Sequence, residues 1–354
     1  MADLNTLATI RAGAAGLAND KIDSNILLRA LAYKMEDMVL YNLGDKQSVK
    51  RNAGTNKIQW RGYKPLPVAT DRHIITEGVN PDGMKVGART VEGTVSVYGA
   101  YLEVTRQVES YNLDQILVEY GPLITSHASE TLEMITRDAI EEDAGVYYVV
   151  DSGTASPDDS KIKATNYLTL DVCRVVANTM KVSRRKGHKS TNYNKYLVVT
   201  SVEGMQDLLD DEKLLKNAMM PGNTNKPVMD NGLASYDLYN LRFMEYNYPV
   251  ITPTGTDIDG AGAGEETTAT DVYHTYVFGE NAYAVMDLAS AGIEMKKFGF
   301  DAKQGDNLGQ IASLGWITMG FGAKVLDPVA CTIISHAVSN PLPRNTDDIY
   351  ASQE

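Results

Sequence analysis

Apolar positions along this chain follow two periods, and the helical one dominates a single stretch, Asn112 to Gly145. Ile124, Ala128, Leu132, Ile135 and Ala139 recur three or four residues apart, the spacing of one helix face. Asn112 followed by Gln115 reads as a capping box, and Gly145 is a natural stop. The whole stretch would span about 50 Å at about 1.5 Å per residue, the length of a strut. Gly121-Pro122 interrupts it. Proline is favoured at a first helical position, so a strut starting at Pro122, with a separate short helix over 112–120, is expected over a kinked rod. Glu133, Arg137 and Glu141, four residues apart on another face, predict ion pairs among themselves.

The remaining elements are shorter. Ile22 to Leu43 carries an apolar stripe (Ile26, Leu27, Ala30, Leu31, Met35, Met38, Val39) and predicts an amphipathic helix ending near Gly44, behind a weakly patterned arm over 1–22. Lys57 to Tyr63 and Thr94 to Val104 are rich in β-branched and aromatic residues and read as two strands. Between them, Lys64 to Thr90 has three prolines and little periodicity, which predicts a projecting arm. Val146 to Val150 reads as a short buried strand. Thr169 to Val182 reads as a helix capped by Thr169, with Val172, Val175, Val176 and Met180 inward. Tyr196 to Thr200 is expected to be a central strand, and Ser201 to cap an acidic helix running on from Val202. Strands are expected within Tyr236 to Tyr248, Val272 to Phe278 and Ala282 to Leu288. Three further runs are Trp316 to Met319, Ala323 to Leu326 and Ala330 to Ile334. Thr252 to Asp271 is Gly, Thr and acid-rich and predicts a surface loop; the tail from Asn340 is polar. Helices and strands mix without strict alternation, so the fold class is α+β.

Charge narrows the function more than it changes this picture. A net charge of −13 opposes general nucleic-acid binding, because an acidic surface repels phosphate. The two cysteines, Cys173 and Cys331, are too few for a disulfide framework. The first twenty residues carry Asp3 and lack the apolar core of a secretory leader, and no window predicts a membrane span. Twenty tyrosines against five phenylalanines fit either half-wet subunit contacts or a tyrosine-rich core. No phosphate-binding loop, zinc motif or nucleophile elbow is present, and the five histidines are scattered. His127 reads as a packed, hydrogen-bonded histidine. No catalytic residue, cofactor or metal is expected. The basic run Arg184, Arg185, Lys186, His188 and Lys189 has two readings: cations complementing a helix C-terminus that stops at Gly187, or a contact with nucleic acid or an acidic neighbour.

Three ordered segments carry a resemblance. The first is Asn56 to Thr70 (NKIQWRGYKPLPVAT) with Thr76 to Gly83 (TEGVNPDG). The second is Ser129 to Asp138, with Glu130-Thr131-Leu132 and Arg137-Asp138. The third is Val277 to Tyr283 (VFGENAY) with Gly305 to Gln310 (GDNLGQ) and Gly315-Trp316. Together they resemble the major capsid proteins of tailed phages, of the N4-like type, over about residues 26 to 335. Asn307 and Ile317 depart from the family's pattern. The resemblance implies the HK97-like shell fold: an N-terminal arm with amphipathic helix (1–45), an extended loop (46–107), a peripheral domain with a spine helix (108–165 and 289–340), an axial domain (166–288) and a tail (341–354). It implies a non-enzymatic subunit that assembles with itself into hexamers and pentamers of an icosahedral head. Portal, scaffolding and decoration proteins and packaged double-stranded DNA, held without sequence specificity, would be its partners, with no membrane. The virion, assembled in the host cytoplasm, would be its location. On this reading Trp60, Arg61, Tyr63, Pro65, Pro67, Glu77 and Asp82 would carry inter-subunit contacts of the extended loop. Arg184, Arg185, Lys186 and Lys189 are candidates for contacts with nucleic acid or a neighbour. An encapsulin-like nanocompartment shell is the alternative.

Overall fold

The computed structural model describes residues 38–49, 55–63, 66, 75, 77–79, 83–111, 116–151, 157–210, 228–230, 233–238, 240–255, 270–288, 293–301 and 307–341. The arm over 1–22, the expected helix before Met38, the Asn112 cap, most of the acidic loop and the tail lie outside these residues. The chain divides into two compact units. One holds Lys46–Leu132 and Val285–Leu326; the other holds Glu36–Asp45, Glu133–Ala284 and the chain from Asp327.

The first unit is built on the long strand β14 (Ile311–Val325). Its first half is flanked by β4 (Ser96–Thr105) and β13 (Ile293–Phe298), both antiparallel. The five-stranded sheet is completed by β12 (Tyr283–Leu288) and β1 (Asp45–Val49). The two runs expected over 316–326 are therefore one strand. Glycines at 320 and 322 look like a turn signal, but a Cβ at Gly322 would collide with the Thr94 carbonyl, so glycine there permits close strand approach. A separate ribbon pairs β2 (Lys57–Tyr63) with β3 (Ala88–Thr94). The expected partner of β2 was the strand over 94–104. Instead that strand joins the sheet, and a one-residue break at Val95 separates the two roles.

Helix α3 (Ile116–Asp143) follows the short α2 (Arg106–Tyr111). It runs unbroken through Pro122, against the expected split. Tyr120 before the proline and Ile124 and Ala128 after it pack on the same sheet, against Tyr98, Ala100, Leu102, Leu314 and Trp316. Burying side chains on both sides of Pro122 offsets the roughly 3 kcal/mol that an interior proline costs a helix. Beyond Leu132 the buried stripe continues at Thr136 and Ile140, while Ile135 and Ala139 are only half-buried.

The second unit holds an eight-stranded mixed sheet. Its order is β5 (Gly145–Tyr148), β15 (Cys331–His336), β11 (Thr270–Phe278), β6 (Tyr196–Ser201), β9 (Leu241–Tyr246), β8 (Leu233–Leu238) and β7 (Val228–Asp230), with β10 (Ile251–Gly255) also on β11. β6 is central and buried throughout, as its apolar run predicts. β5 is an edge strand with Val146 and Tyr147 exposed, so the buried strand expected there is corrected. Residues 251–255 and 270–271 are strand, which trims the expected acidic loop at both ends. Helix α4 (Leu170–Val182) is capped by Thr169, whose hydroxyl accepts from Val172 N. It buries Leu170, Cys173, Val176, Ala177 and Met180 and leaves Val175 exposed, so Leu170 and Cys173 take the place expected for Val175. Ser201 caps α5 (Val202–Asp210) through Gly204 N.

Helix α4 does not stop at Gly187. Arg184 takes the left-handed conformation at φ 58°, with Arg184 N bonded to Lys181 O and Arg185 N to Met180 O, the paired closure that glycine usually supplies. On the N-terminal side, the helix α1 (Val39–Leu43) ends at Gly44 as expected but begins at Met38, whose ψ of 104° is not helical, so a continuous helix over 22–43 is interrupted there.

One polar chain crosses the buried sheet. Thr200 and Thr275 hydroxyls lie 2.7 Å apart, Thr275 Oγ1 is 2.8 Å from His336 Nε2, and His336 Nδ1 is 2.8 Å from the Ala337 carbonyl. The carbonyl can only accept, so Nδ1 carries the proton and Nε2 accepts from Thr275. Burial pushes the His336 pKa from 6.5 down to about 4. The unfolded chain therefore takes up this proton first. Stability is full above pH 6.5 and is lost as pH falls from there towards 4, by about 3 kcal/mol at about 1.36 kcal/mol per unit. Denaturant unfolding at the two pH values measures the loss; a His336 imidazole that titrates near 6.5 in the folded protein would rule out the neutral burial.

Candidate inter-subunit surfaces

The ribbon β2–β3 leaves the first unit as its side chains run out of partners. Ile58 and Trp60 face inward and pack with Val49, Val95, Met286 and Leu288. Gly93 opposite leaves room for these side chains: a Cβ there would lie 2.5 Å from Met286 Sδ and 2.9 Å from the Trp60 ring, so both would have to shift. Lys57, Gln59 and Glu92 point outward, with Gln59 Nε2 donating to Glu92 Oε1 at 3.1 Å. From Arg61 on, both faces are exposed. Tyr63 is 70 % exposed, and Leu66, Ile75, Val79, Met84 and Val86 follow it as exposed apolar side chains. Gly78 turns the chain at φ 81° beside exposed Glu77. Of the residues singled out from sequence, Trp60 thus packs within its own unit, Arg61, Tyr63 and Glu77 project, and Pro65, Pro67 and Asp82 lie outside the described residues. So many exposed apolar groups on one extension mark a surface that expects a partner.

The five-stranded sheet carries a second such surface. Alternation sends Tyr98, Ala100, Leu314 and Trp316 towards α3. On the opposite face a trough of about 540 Å³ runs over Gly99 and Gly315 between Val97, Tyr101, Phe298 and Ile317, with Lys296 beside it. Tyr101, Val97 and Phe298 are all more than half exposed.

The basic loop lies in the second unit and divides in use. Arg185 Nε sits 2.7 Å from Asp327 and the exposed Lys189 Nζ 3.6 Å from Asp45, so both have an acidic partner within the unit. His188 is buried; its Nε2 donates to Leu43 O at 3.1 Å and its Nδ1 accepts from Ser190 N. Burial pushes its pKa down. Arg184 and Lys186 are exposed and make no ion pair among the described residues.

The expected ladder of ion pairs along α3 does not form. Glu133 is 2 % exposed and accepts from Leu40 N at 2.7 Å and Tyr41 N at 3.0 Å. Burial pushes its pKa up, against the pull of those amides and of Arg137. Arg137 pairs with Asp138 at 2.8 Å and donates to Tyr248 O. Glu141 accepts from Tyr276 OH at 2.6 Å and meets His274 Nδ1 at 2.9 Å. Sequence spacing placed these three on one face correctly but could not say that the face is covered. His127 is hydrogen-bonded as expected, accepting from Trp316 Nε1 at 3.1 Å. Tyr246, Tyr276 and Tyr283 form part of a buried aromatic row, with burial raising the pKa of each, so much of the tyrosine excess is core. Among the described residues no group of three or more His, Cys, Asp or Glu could hold a metal.

No family model matches the chain, and no curated protein matches its sequence. Solved structures match its shape. The capsid of cyanophage Pam1 is similar at a TM-score of 0.59 and 12 % identity, over 96 % of this chain and 100 % of that one. The capsid of Ralstonia phage GP4 is similar at 0.58 and 11 %, over 92 % and 97 %. The SrpI encapsulin of Synechococcus elongatus is similar at 0.51 and 11 %, over 94 % and 97 %. What is shared at this identity is the fold, the HK97-like fold of phage capsid proteins, in its α+β form.

Two substitutions test the division of the basic loop. Arg184→Gly should raise stability by about 1 kcal/mol by relieving the left-handed backbone. Arg185→Ala should lower it by about 1 kcal/mol, because Asp327 is mostly buried and loses its cation. Denaturant unfolding of both variants reads the two signs.

Proposed function

We propose that this chain is the major capsid protein of a tailed phage, a subunit that assembles with copies of itself into the icosahedral head around double-stranded DNA. The observation that carries the reading is the match in fold along almost the whole of two phage capsid chains. The N4-like type is our finer reading, from the segments over 56–83, 129–138 and 277–316. On it, the ribbon beyond Arg61 is the extended loop, and Arg61, Tyr63, Pro65, Pro67, Glu77 and Asp82 meet a neighbouring subunit, with Trp60 fixing the loop's root. Arg184 and Lys186 face a neighbour or the genome. Portal and scaffolding proteins, and a decoration protein where one exists, are the further partners, and assembly takes place in the host cytoplasm.

The physical support is the exposed apolar extension. A ribbon with no core of its own is poorly stable alone, and a heterologous contact that closes into rings covers it. The net charge of −13 fits a shell that contains DNA without gripping it. An encapsulin-like compartment is the second reading, favoured by the encapsulin match and by nothing else observed here.

Electron microscopy of the purified chain should reveal capsomers, tubes or closed shells, and shells from an infected host should hold nuclease-resistant DNA. A discrete monomer at high concentration sinks both readings, and shells loaded with a protein cargo in place of DNA favour the second. Tyr63→Ala should leave monomer stability within about 0.5 kcal/mol while sharply reducing shell yield; unchanged yield would remove Tyr63 from the contact.

A further inference from the structure

We propose that residues 38–45 form a latch that opens on its own, ahead of the sheet in its unit, and that the Glu133 carboxylate is the catch. The segment gives only Val39 and Leu40 to the core. Neither end extends the helix: Met38 has ψ 104° and Gly44 ψ 153°. A five-residue helix has too few turns to persist by propensity, since isolated helices below about 12–15 residues are marginal.

What holds α1 is a set of bonds to its backbone. Glu133 Oε1 and Oε2 take the Leu40 and Tyr41 amides, which the short helix cannot satisfy itself. The Tyr283 hydroxyl donates to Leu40 O at 2.6 Å, and His188 Nε2 donates to Leu43 O at 3.1 Å. Lys189 reaches Asp45 at 3.6 Å. The partners come from α3, β12 and the loop before β6, three elements held in the unit by their own packing. The seat therefore exists independently of its occupant, and it reads a helical turn by its amides and carbonyls more than by its side chains.

Glu133 makes the seat two-sided. Buried and charged, it is tolerated because two amides point at it. When α1 leaves, water can solvate the carboxylate in their place, so opening costs far less than exposing a buried charge to nothing. Few apolar contacts combined with polar bonds that water can replace are the features of a segment that opens below the global unfolding energy.

Hydrogen exchange on the full-length protein tests this. The Leu40, Tyr41 and Gly44 amides should exchange at least about 100-fold faster than those of β11, by local opening. Glu133→Gln presents an amide donor to backbone donors and should speed exchange at Leu40 and Tyr41 by about 10- to 100-fold, and exchange at β11, whose unfolding includes that of α1, by no more than the same factor. Tyr283→Phe, which deletes one hydroxyl and keeps the ring, should speed the same amides by about 3- to 10-fold and serves if the first variant does not fold. Amides of α1 and β11 exchanging in step in the unaltered protein would overturn the latch. So would variants that leave the α1 amides unchanged. The use of such a latch during shell assembly rests on the capsid reading. The exchange test does not, so the two fail separately.

Discussion

Helix α3 changes the kind of interaction it makes along its length, and each unit of the protein depends on one of the two kinds. Up to Leu132 it is an ordinary amphipathic helix. Ile124 and Ala128 lie on Leu314 and Trp316, and the Trp316 indole is tied to His127. From Glu133 on, its inward face is studded with groups that must be satisfied one by one. Glu133 caps α1, Arg137 reaches the Tyr248 carbonyl, and Glu141 gathers Tyr276 and His274. Apolar packing tolerates small shifts, whereas a buried carboxylate tolerates none without cost. The second half of the helix is therefore the half that fixes geometry.

That distinction explains which parts of the fold were legible in the sequence. Local rules held wherever the deciding contact was local: Lys57–Tyr63 as a strand, the Thr169 and Ser201 caps, the buried run of β6 and the end of α1 at Gly44. They failed where a distant partner decided. Pro122 stays helical because the sheet holds both of its flanks. The runs over 316–319 and 323–326 prove to be one strand, and glycine at 322 is what lets the Thr94 carbonyl lie against it. Gly187 looked like the end of α4, but Arg184 had already taken the left-handed position. The spacing of Glu133, Arg137 and Glu141 put them on one face, yet no spacing rule reveals that a helical turn ninety residues earlier and a tyrosine on β11 wait beneath it. The exposed apolar surfaces were legible in outline only. A proline-rich connection of low periodicity predicts a projecting arm, but Trp60 proves to be its root, and the trough over Gly99 and Gly315 emerges only once three strands are in register.

The same contrast bears on what kind of molecule this is. Inside the second unit, His336 stays neutral and glutamates sit under backbone amides and beside a tyrosine hydroxyl. At the ribbon and the open sheet face the opposite holds: Tyr63, Ile75, Val79, Tyr101 and Phe298 are all more than half exposed. Poor economy in the fold cannot account for both at once, since a chain that satisfies Glu133 to within 3.0 Å could have placed polar residues on an arm facing water. On the capsid reading proposed above, the exposed apolar groups are one half of a contact whose other half is another copy. A subunit of a shell needs a body rigid enough to carry its symmetry and edges unfinished enough to require neighbours. Close matching around Glu133 and Glu141, with bare apolar side chains on the extension and one sheet face, fits both needs.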